Sequence, residues 1–170
     1  MFNELEFWKL CFLIDYFVKI RELIRKSMSK PVEIDSSIRT VEWKDNKVIM
    51  IEQTKLPNEL IFVEYDDFNQ VANAIKTLIV RGAPAIGVSG AFGLGLAVLQ
   101  SKATTKDELL SDLEDARKIL FATRPTAVNL GWGLEKIMNV AKTGETVEQI
   151  KELVISTAKK MADEDIEINK

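Results

Sequence analysis

An arginine at a break between two apolar, helix-like segments constrains this chain more than any other feature. The break reads Arg81-Gly82-Ala83-Pro84, and no charged residue occurs from Gly82 to Ser101. Glycine tolerates positive φ past a helix end, and proline suits the first turn of a helix because its missing N–H costs nothing there. The pattern therefore predicts two helices joined by a tight corner at Arg81.

The helix before the corner is predicted from its cap and its apolar stripe. Asp67, with Gln70 three residues later, is typical of a helix start, and we expect the helix to end near Val80. The apolar residues recur at helical spacing and comprise Val71, Ala74, Ile75, Leu78 and Ile79.

The helix after the corner, predicted from Pro84 to Gln100, contains four glycines, namely Gly87, Gly90, Gly93 and Gly95. Each costs roughly 1 kcal/mol relative to alanine in a helix interior, so close packing must offset the loss. We therefore interpret this segment as a buried central helix. A transmembrane span is the alternative, although the length is borderline and the glycine and polar content lowers the hydropathy.

The corner also predicts an anion-binding site. Free backbone N–H groups at the start of the second helix, its dipole and the Arg81 guanidinium would together attract a phosphate or carboxylate. An arginine that only interacts with the dipole of the preceding helix explains the same spacing, and both interpretations stay open. A second exposed arginine, Arg124, is predicted at another helix break, because Pro125 pushes its backbone away from the α region.

Composition limits the partners and the location of the chain. A net charge of −3 leaves no excess of lysine and arginine for neutralising phosphates, so we expect no nucleic acid partner. The single cysteine, Cys11, cannot form an internal disulfide, and no cleavable signal pattern is present. A cytoplasmic protein without a membrane partner is therefore expected.

The first thirty residues differ from the rest, because they carry a net charge of +2 whereas the remaining 140 carry −5. We interpret residues 1–34 as an extension outside the domain and residues 35–170 as the domain itself. A helix that docks on another protein, or lies on a membrane surface, is an alternative for the extension.

Alternating apolar residues predict a β meander after this extension. The hairpin arms carry Val41 with Trp43 and Val48 with Met50, and the turn Asp45-Asn46 lies between them. A third strand is predicted over Leu60–Tyr65. Further helices are predicted after the central pair, the first capped by Thr105 with Glu108 and ending near Ala122, the next closing at Gly144, and the last capped by Thr146 with Gln149. The predicted fold is α+β, a small antiparallel β meander followed by a helical bundle.

Four motifs in order resemble the amino-terminal half of S-methyl-5-thioribose-1-phosphate isomerases. The wider family also includes ribose-1,5-bisphosphate isomerase and initiation factor 2B-like regulatory subunits. The similarity runs from about Ile38 to Lys170 and rests on the segments 39–46 (RTVEWKDN), 53–57 (QTKLP), 81–87 (RGAPAIG) and 124–130 (RPTAVNL).

The resemblance implies an aldose–ketose isomerase of methionine salvage, which converts S-methyl-5-thioribose 1-phosphate to S-methyl-5-thioribulose 1-phosphate. It implies a sugar-phosphate substrate and neither a metal nor an organic cofactor. In the family, the Arg-Gly-Ala stretch and the arginine of Arg-Pro-Thr bind substrate. These roles carry over to Arg81, Gly82, Ala83 and Arg124.

The chain departs from the family in its catalytic residues. The family's cysteine, in a Thr-His-Cys-Asn-Ala-Gly context, and its aspartate belong to a Rossmann-like domain that we do not find in this sequence, and Cys11 lies before the matching region. We therefore predict no catalytic residue and a domain truncated before the catalytic one, which is inactive alone. A homodimer and a separate catalytic-domain chain are both open as partners, and a non-catalytic binding or regulatory module is the alternative function.

Overall fold

The computed structural model describes residues 38–168, so the predicted extension, residues 1–34, lies outside the described residues. Within the described range, three strands precede five helices. They are β1 (Val41–Lys44), β2 (Lys47–Ile51), β3 (Phe62–Tyr65), α1 (Phe68–Lys76), α2 (Ala83–Gln100), α3 (Lys106–Thr123), α4 (Val128–Thr143) and α5 (Val147–Ile168). This order confirms the predicted small β meander followed by helices.

The strands form an antiparallel sheet in the order β1-β2-β3. The hairpin turn has positive φ at both central residues, 50° at Asp45 and 59° at Asn46, as a two-residue turn that matches the strand twist requires. The register pairs Trp43 with Val48, as the alternation predicts. The third strand begins at Phe62, two residues after the predicted Leu60.

Helix α2 is the centre of the helical layer. Every residue from Ile86 to Val98 is buried, and α2 contacts the other four described helices as well as β1 and β2. By length and composition it is the one helix in residues 38–168 apolar enough to cross a membrane, yet 72% of it is buried inside the fold. The burial confirms the predicted central helix and offsets the low helix propensity of its glycines.

The glycines of α2 leave space for neighbouring elements. The ring of Trp43, on β1, packs over Gly95, where an added Cβ would lie 2.9 Å from the ring, and its centroid lies 5.6 Å from that of Phe92. At the other end of α2, a Cβ on Gly133 of α4 would lie 2.6 Å from the carbonyl oxygen of Gly87. The sheet and α4 therefore both reach the backbone of α2.

The predicted helix caps are present in the later helices. Thr105 and Glu108 form a capping box at the start of α3, and the Thr146 hydroxyl accepts the N–H of Gln149 at the start of α5. Gly144 does follow α4, but its φ of −70° is not left-handed. A Cβ there would lie 2.6 Å from Ile150, so close packing rather than a left-handed cap requires glycine at this position.

The approach of α2 and α4 predicts a sharp difference between two glycines of α4. Gly133→Ala should lower the free energy of unfolding by about 1 to 3 kcal/mol, because the new methyl group meets backbone that cannot rotate away. Gly131→Ala is the matched control, since its Cβ would lie 3.4 Å from Phe121, an ordinary contact. It should be neutral or stabilising by up to about 1 kcal/mol. Urea unfolding measures both, and equal stability of the two variants would contradict the close approach.

Candidate functional site

The corner between α1 and α2 is formed by a left-handed helix end. The N–H of Ile79 donates to the carbonyl of Ala74 at 3.0 Å, and the N–H of Leu78 donates to that of Ile75 at 3.4 Å. Leu78 itself has a φ of 61°. This is the Schellman pattern, which ordinarily places glycine at the left-handed position.

The predicted end of α1 near Val80 is therefore wrong, since the helix ends at Lys76. The apolar stripe misled the prediction because Ile79 still packs against the core after the chain has left the helix. Leu78 belongs to the predicted stripe, but its side chain is 39% exposed.

Arg81 is exposed, and two bonds fix its position. Its backbone N–H donates to Oε1 of Gln53 at 3.0 Å, and its Nε donates to the carbonyl oxygen of Leu78 at 3.2 Å. The Nε bond uses one of five guanidinium N–H groups, so the terminal nitrogens keep donors for a bound oxyanion. The acceptor of Nε lies past the end of α1, within the corner itself.

The start of α2 has open space and an uncapped helix end. The N-cap residue is Gly82, with a φ of 94°, and because glycine has no side chain it cannot supply a side-chain cap to the helix. Gly82, Ala83 and Pro84 are exposed, and a Cβ built on Gly82 meets nothing within 4 Å in the described part of the chain. Backbone N–H groups of the first turn therefore face a region that a ligand can enter.

Arg124 lies in the turn between α3 and α4. Its backbone N–H donates to the carbonyl of Phe121 at 3.2 Å, and its carbonyl accepts the N–H of Ala127 at 3.0 Å. The residue is half-buried, whereas the sequence predicted an exposed arginine. Ala127 is the N-cap of α4, and it too has no side chain to cap the helix.

The crossing of α2 and α4 brings these two turns to the same end of the helix pair. A Cβ on Gly87 would lie 2.9 Å from the carbonyl oxygen of Asn129, at the start of α4. Gly87 lies four residues after Ala83, which corresponds to roughly 6 Å along the helix axis. Both helices therefore begin within two turns of this contact, which brings the Arg81 corner and the Arg124 turn into the same region of the molecule. Neither helix has an N-cap residue whose side chain makes a cap bond.

This arrangement can bind an anion, because helix N-termini and guanidinium groups both favour negative charge. Within residues 38–168, no group of three His, Cys, Asp or Glu side chains is placed to hold a metal ion. Two polar surface grooves lie elsewhere, one of about 360 Å³ between α3 and α4 and one of about 410 Å³ near the start of α5. Neither is lined by Arg81 or Arg124.

Two further residues, Gln53 and Asn129, take part in this region without a sequence pattern that predicts their role. Gln53 belongs to one of the family-like motifs, but its bond to Arg81 spans 28 positions, and no local pattern indicates such a pairing. Asn129 contributes a backbone carbonyl to the crossing, which no side-chain pattern reports.

The chain is similar to one family model and to several known proteins, which all belong to the group that the four motifs indicate. A family model described as the initiation factor 2 subunit family matches residues 79–170. Methylthioribose-1-phosphate isomerase of Geotalea uraniireducens is 43% identical over 134 residues, which is 78% of this chain and 39% of that protein. The protein named putative methylthioribose-1-phosphate isomerase of Pyrococcus horikoshii is 45% identical over 141 residues, 82% of this chain and 39% of its own length.

Two crystal structures share the fold. That of 5-methylthioribose 1-phosphate isomerase from Pyrococcus horikoshii superposes with a TM-score of 0.73 and 44% identity over 81% of this chain and 39% of that one. That of translation initiation factor eIF-2B subunit delta from A. fulgidus gives a TM-score of 0.73 and 45% identity, over 77% and 38%. The resemblance found from the four motifs is confirmed, and this chain spans about two fifths of the length of these relatives.

The left-handed residue of the corner yields a stability prediction. Leu78→Gly should be more stable than Leu78→Ala by about 1 kcal/mol, because glycine adopts positive φ without the steric cost of a Cβ. The comparison is made between the two variants because both remove the contacts of the leucine side chain. Urea unfolding measures the difference, and a more stable alanine variant would show that Leu78 is not left-handed.

Proposed function

We propose, starting from the fact that this chain belongs to the initiation factor 2 subunit family, that it supplies the substrate-binding part of a methylthioribose-1-phosphate isomerase. The substrate is S-methyl-5-thioribose 1-phosphate and the product is S-methyl-5-thioribulose 1-phosphate. Arg81, Gly82, Ala83 and Arg124 bind the substrate. The observation that carries the proposal is that two helices begin close to their mutual contact without a side-chain cap bond from the N-cap residue, each with an arginine in the turn before it.

The chemistry of the phosphate suits this arrangement. Backbone N–H groups at the start of α2 offer hydrogen bonds to phosphate oxygens, and the partial positive charges at the two helix N-termini lie in the same region of the molecule. Arg81 adds a guanidinium whose Nε is already held by Leu78, so its position changes little when an anion arrives. Gly82 leaves open space, which allows a phosphate to approach the backbone closely.

We further propose that the proton transfer of the isomerisation comes from polypeptide outside these 170 residues. Moving hydrogen between adjacent carbons needs positioned acid–base groups. Arginine stays protonated at neutral pH and is a poor proton carrier. The relatives named as isomerases are about two and a half times as long as the matched region. A separate chain with a Rossmann-like catalytic domain is the partner that this part of the proposal requires. A homodimer could share the binding site but would add no new acid–base group.

A regulatory role in translation initiation is the second candidate, favoured by the similarity to the protein described as an eIF-2B delta subunit. The TM-scores against that protein and against the isomerase are equal, so the fold does not separate the two functions. Binding of a sugar phosphate distinguishes the two functions. A regulatory module that binds no substrate would not depend on the Arg81 guanidinium.

The proposal predicts that Arg81→Ala weakens binding of methylthioribose 1-phosphate to the full chain by about 10- to 100-fold, as expected for a lost charged hydrogen bond. Arg124→Ala should weaken it similarly. Lys106→Ala is the control, because it removes the same charge at the far end of α3 from Arg124. Titration calorimetry measures the affinities. No detectable binding by the unsubstituted chain, or equal affinity in all variants, would favour the regulatory candidate.

The assignment of substrate binding to this chain and of proton transfer to other polypeptide predicts a separate outcome in an activity assay. The full chain alone should give no ketose product, whereas addition of the carboxy-terminal portion of the Pyrococcus horikoshii isomerase should give turnover that Arg81→Ala reduces. Turnover by the 170-residue chain alone would contradict the proposal that the acid–base groups lie elsewhere.

A further inference from the structure

Gln53 is bonded to the Arg81 corner through both its main chain and its side chain. We propose that Gln53 is a positioning residue, which fixes the backbone of Arg81 and thereby directs its guanidinium toward a bound phosphate. The inference rests on the proposed function, because it concerns the same anion site. Gln53 lies just after β2, so the sheet takes part in holding a site formed by helix ends.

The bonding pattern is that of a parallel β bridge in which a side chain replaces one peptide group. The N–H of Gln53 donates to the carbonyl of Ile79 at 2.9 Å, and the N–H of Arg81 donates to Oε1 of Gln53 at 3.0 Å. In a regular parallel pair, the second acceptor would be the main-chain carbonyl of residue 53. The side-chain amide oxygen extends farther from the backbone and reaches the corner.

The corner needs such a restraint because its backbone is strained. Leu78 and Gly82 both have positive φ, and for leucine this conformation costs about 1 to 2 kcal/mol. Strained segments persist only where surrounding bonds determine their conformation. The two bonds of Gln53 bracket Val80 and set the direction in which the Arg81 side chain leaves the main chain. The bond from Arg81 Nε to Leu78 then fixes the guanidinium.

Two substitutions distinguish the effect of the bond between Gln53 and the Arg81 N–H on phosphate binding from its effect on overall stability. Gln53→Met keeps the length of the side chain but removes the acceptor, so Arg81 loses its main-chain partner. Gln53→Glu keeps an acceptor at the same reach but places a negative charge beside the anion site. Gln149→Met is the matched control, because Oε1 of Gln149 accepts the backbone N–H of Glu145 at the same 3.0 Å, at the opposite end of α4 from the corner.

The experiment measures urea midpoints and the affinity of the full chain for methylthioribose 1-phosphate and for inorganic phosphate. Gln53→Met and Gln149→Met should both lower the midpoint, but only Gln53→Met should weaken binding, by about 10-fold. Gln53→Glu should keep a midpoint near that of the unsubstituted chain and still bind weakly. Its loss of affinity should shrink at high salt, because the cause is charge repulsion, which salt screens.

The outcomes distinguish this inference from the proposed function. If Arg81→Ala weakens binding while Gln53→Met and Gln53→Glu bind normally, the positioning role is wrong and the substrate site stands. If none of the three variants alters affinity, the proposed function fails as well. Should Gln53→Met fail to fold, Gln53→Asn takes its place, because it keeps the amide but shortens its reach by one methylene group. Normal phosphate affinity in that variant would overturn the inference, and a loss of affinity would support it.

Discussion

The close approach of α2 and α4 determines where the ends of these helices lie. Gly87 and Gly133 have no side chains to hold the helices apart, so the carbonyl oxygen of Gly87 lies against the backbone of α4. Larger side chains at such a crossing keep helix axes 8 to 10 Å apart. Because the contact occurs within the first two turns of each helix, both N-termini lie near it. The proposed anion site therefore results from helix packing rather than from a loop that folds over the core.

The same helix connects the core to the sheet. Glycines are costly inside a helix, and in α2 the cost is offset by the neighbours that they admit, including the ring of Trp43 over Gly95. Trp43 lies on β1, which pairs with β2, and Gln53 lies two residues after the end of β2. A continuous set of contacts therefore runs from the middle of α2 through the sheet to the Arg81 corner.

Local signals predicted most of the fold. The Asp45-Asn46 turn, the Thr105-Glu108 capping box and the stripes of the later helices depend on neighbours within a few residues, and all are present. The predicted end of α1 was wrong because Leu78 adopts a left-handed conformation that leucine disfavours. Only the surrounding structure can impose such a conformation. The bond between Gln53 and Arg81 was not predicted for a related reason, since it depends on packing between segments 28 positions apart.

The strain at Leu78 has a consequence for binding. A flexible corner would have to be ordered by its ligand, and that ordering would reduce the affinity. In this chain the corner is already held by the Schellman bonds, by Gln53 and by the bond from Arg81 Nε to Leu78. Interactions of the core and the sheet thus offset the unfavourable free energy of the left-handed leucine during folding. Under the proposed function, a phosphate in the open space over Gly82 would meet donors whose positions are already set.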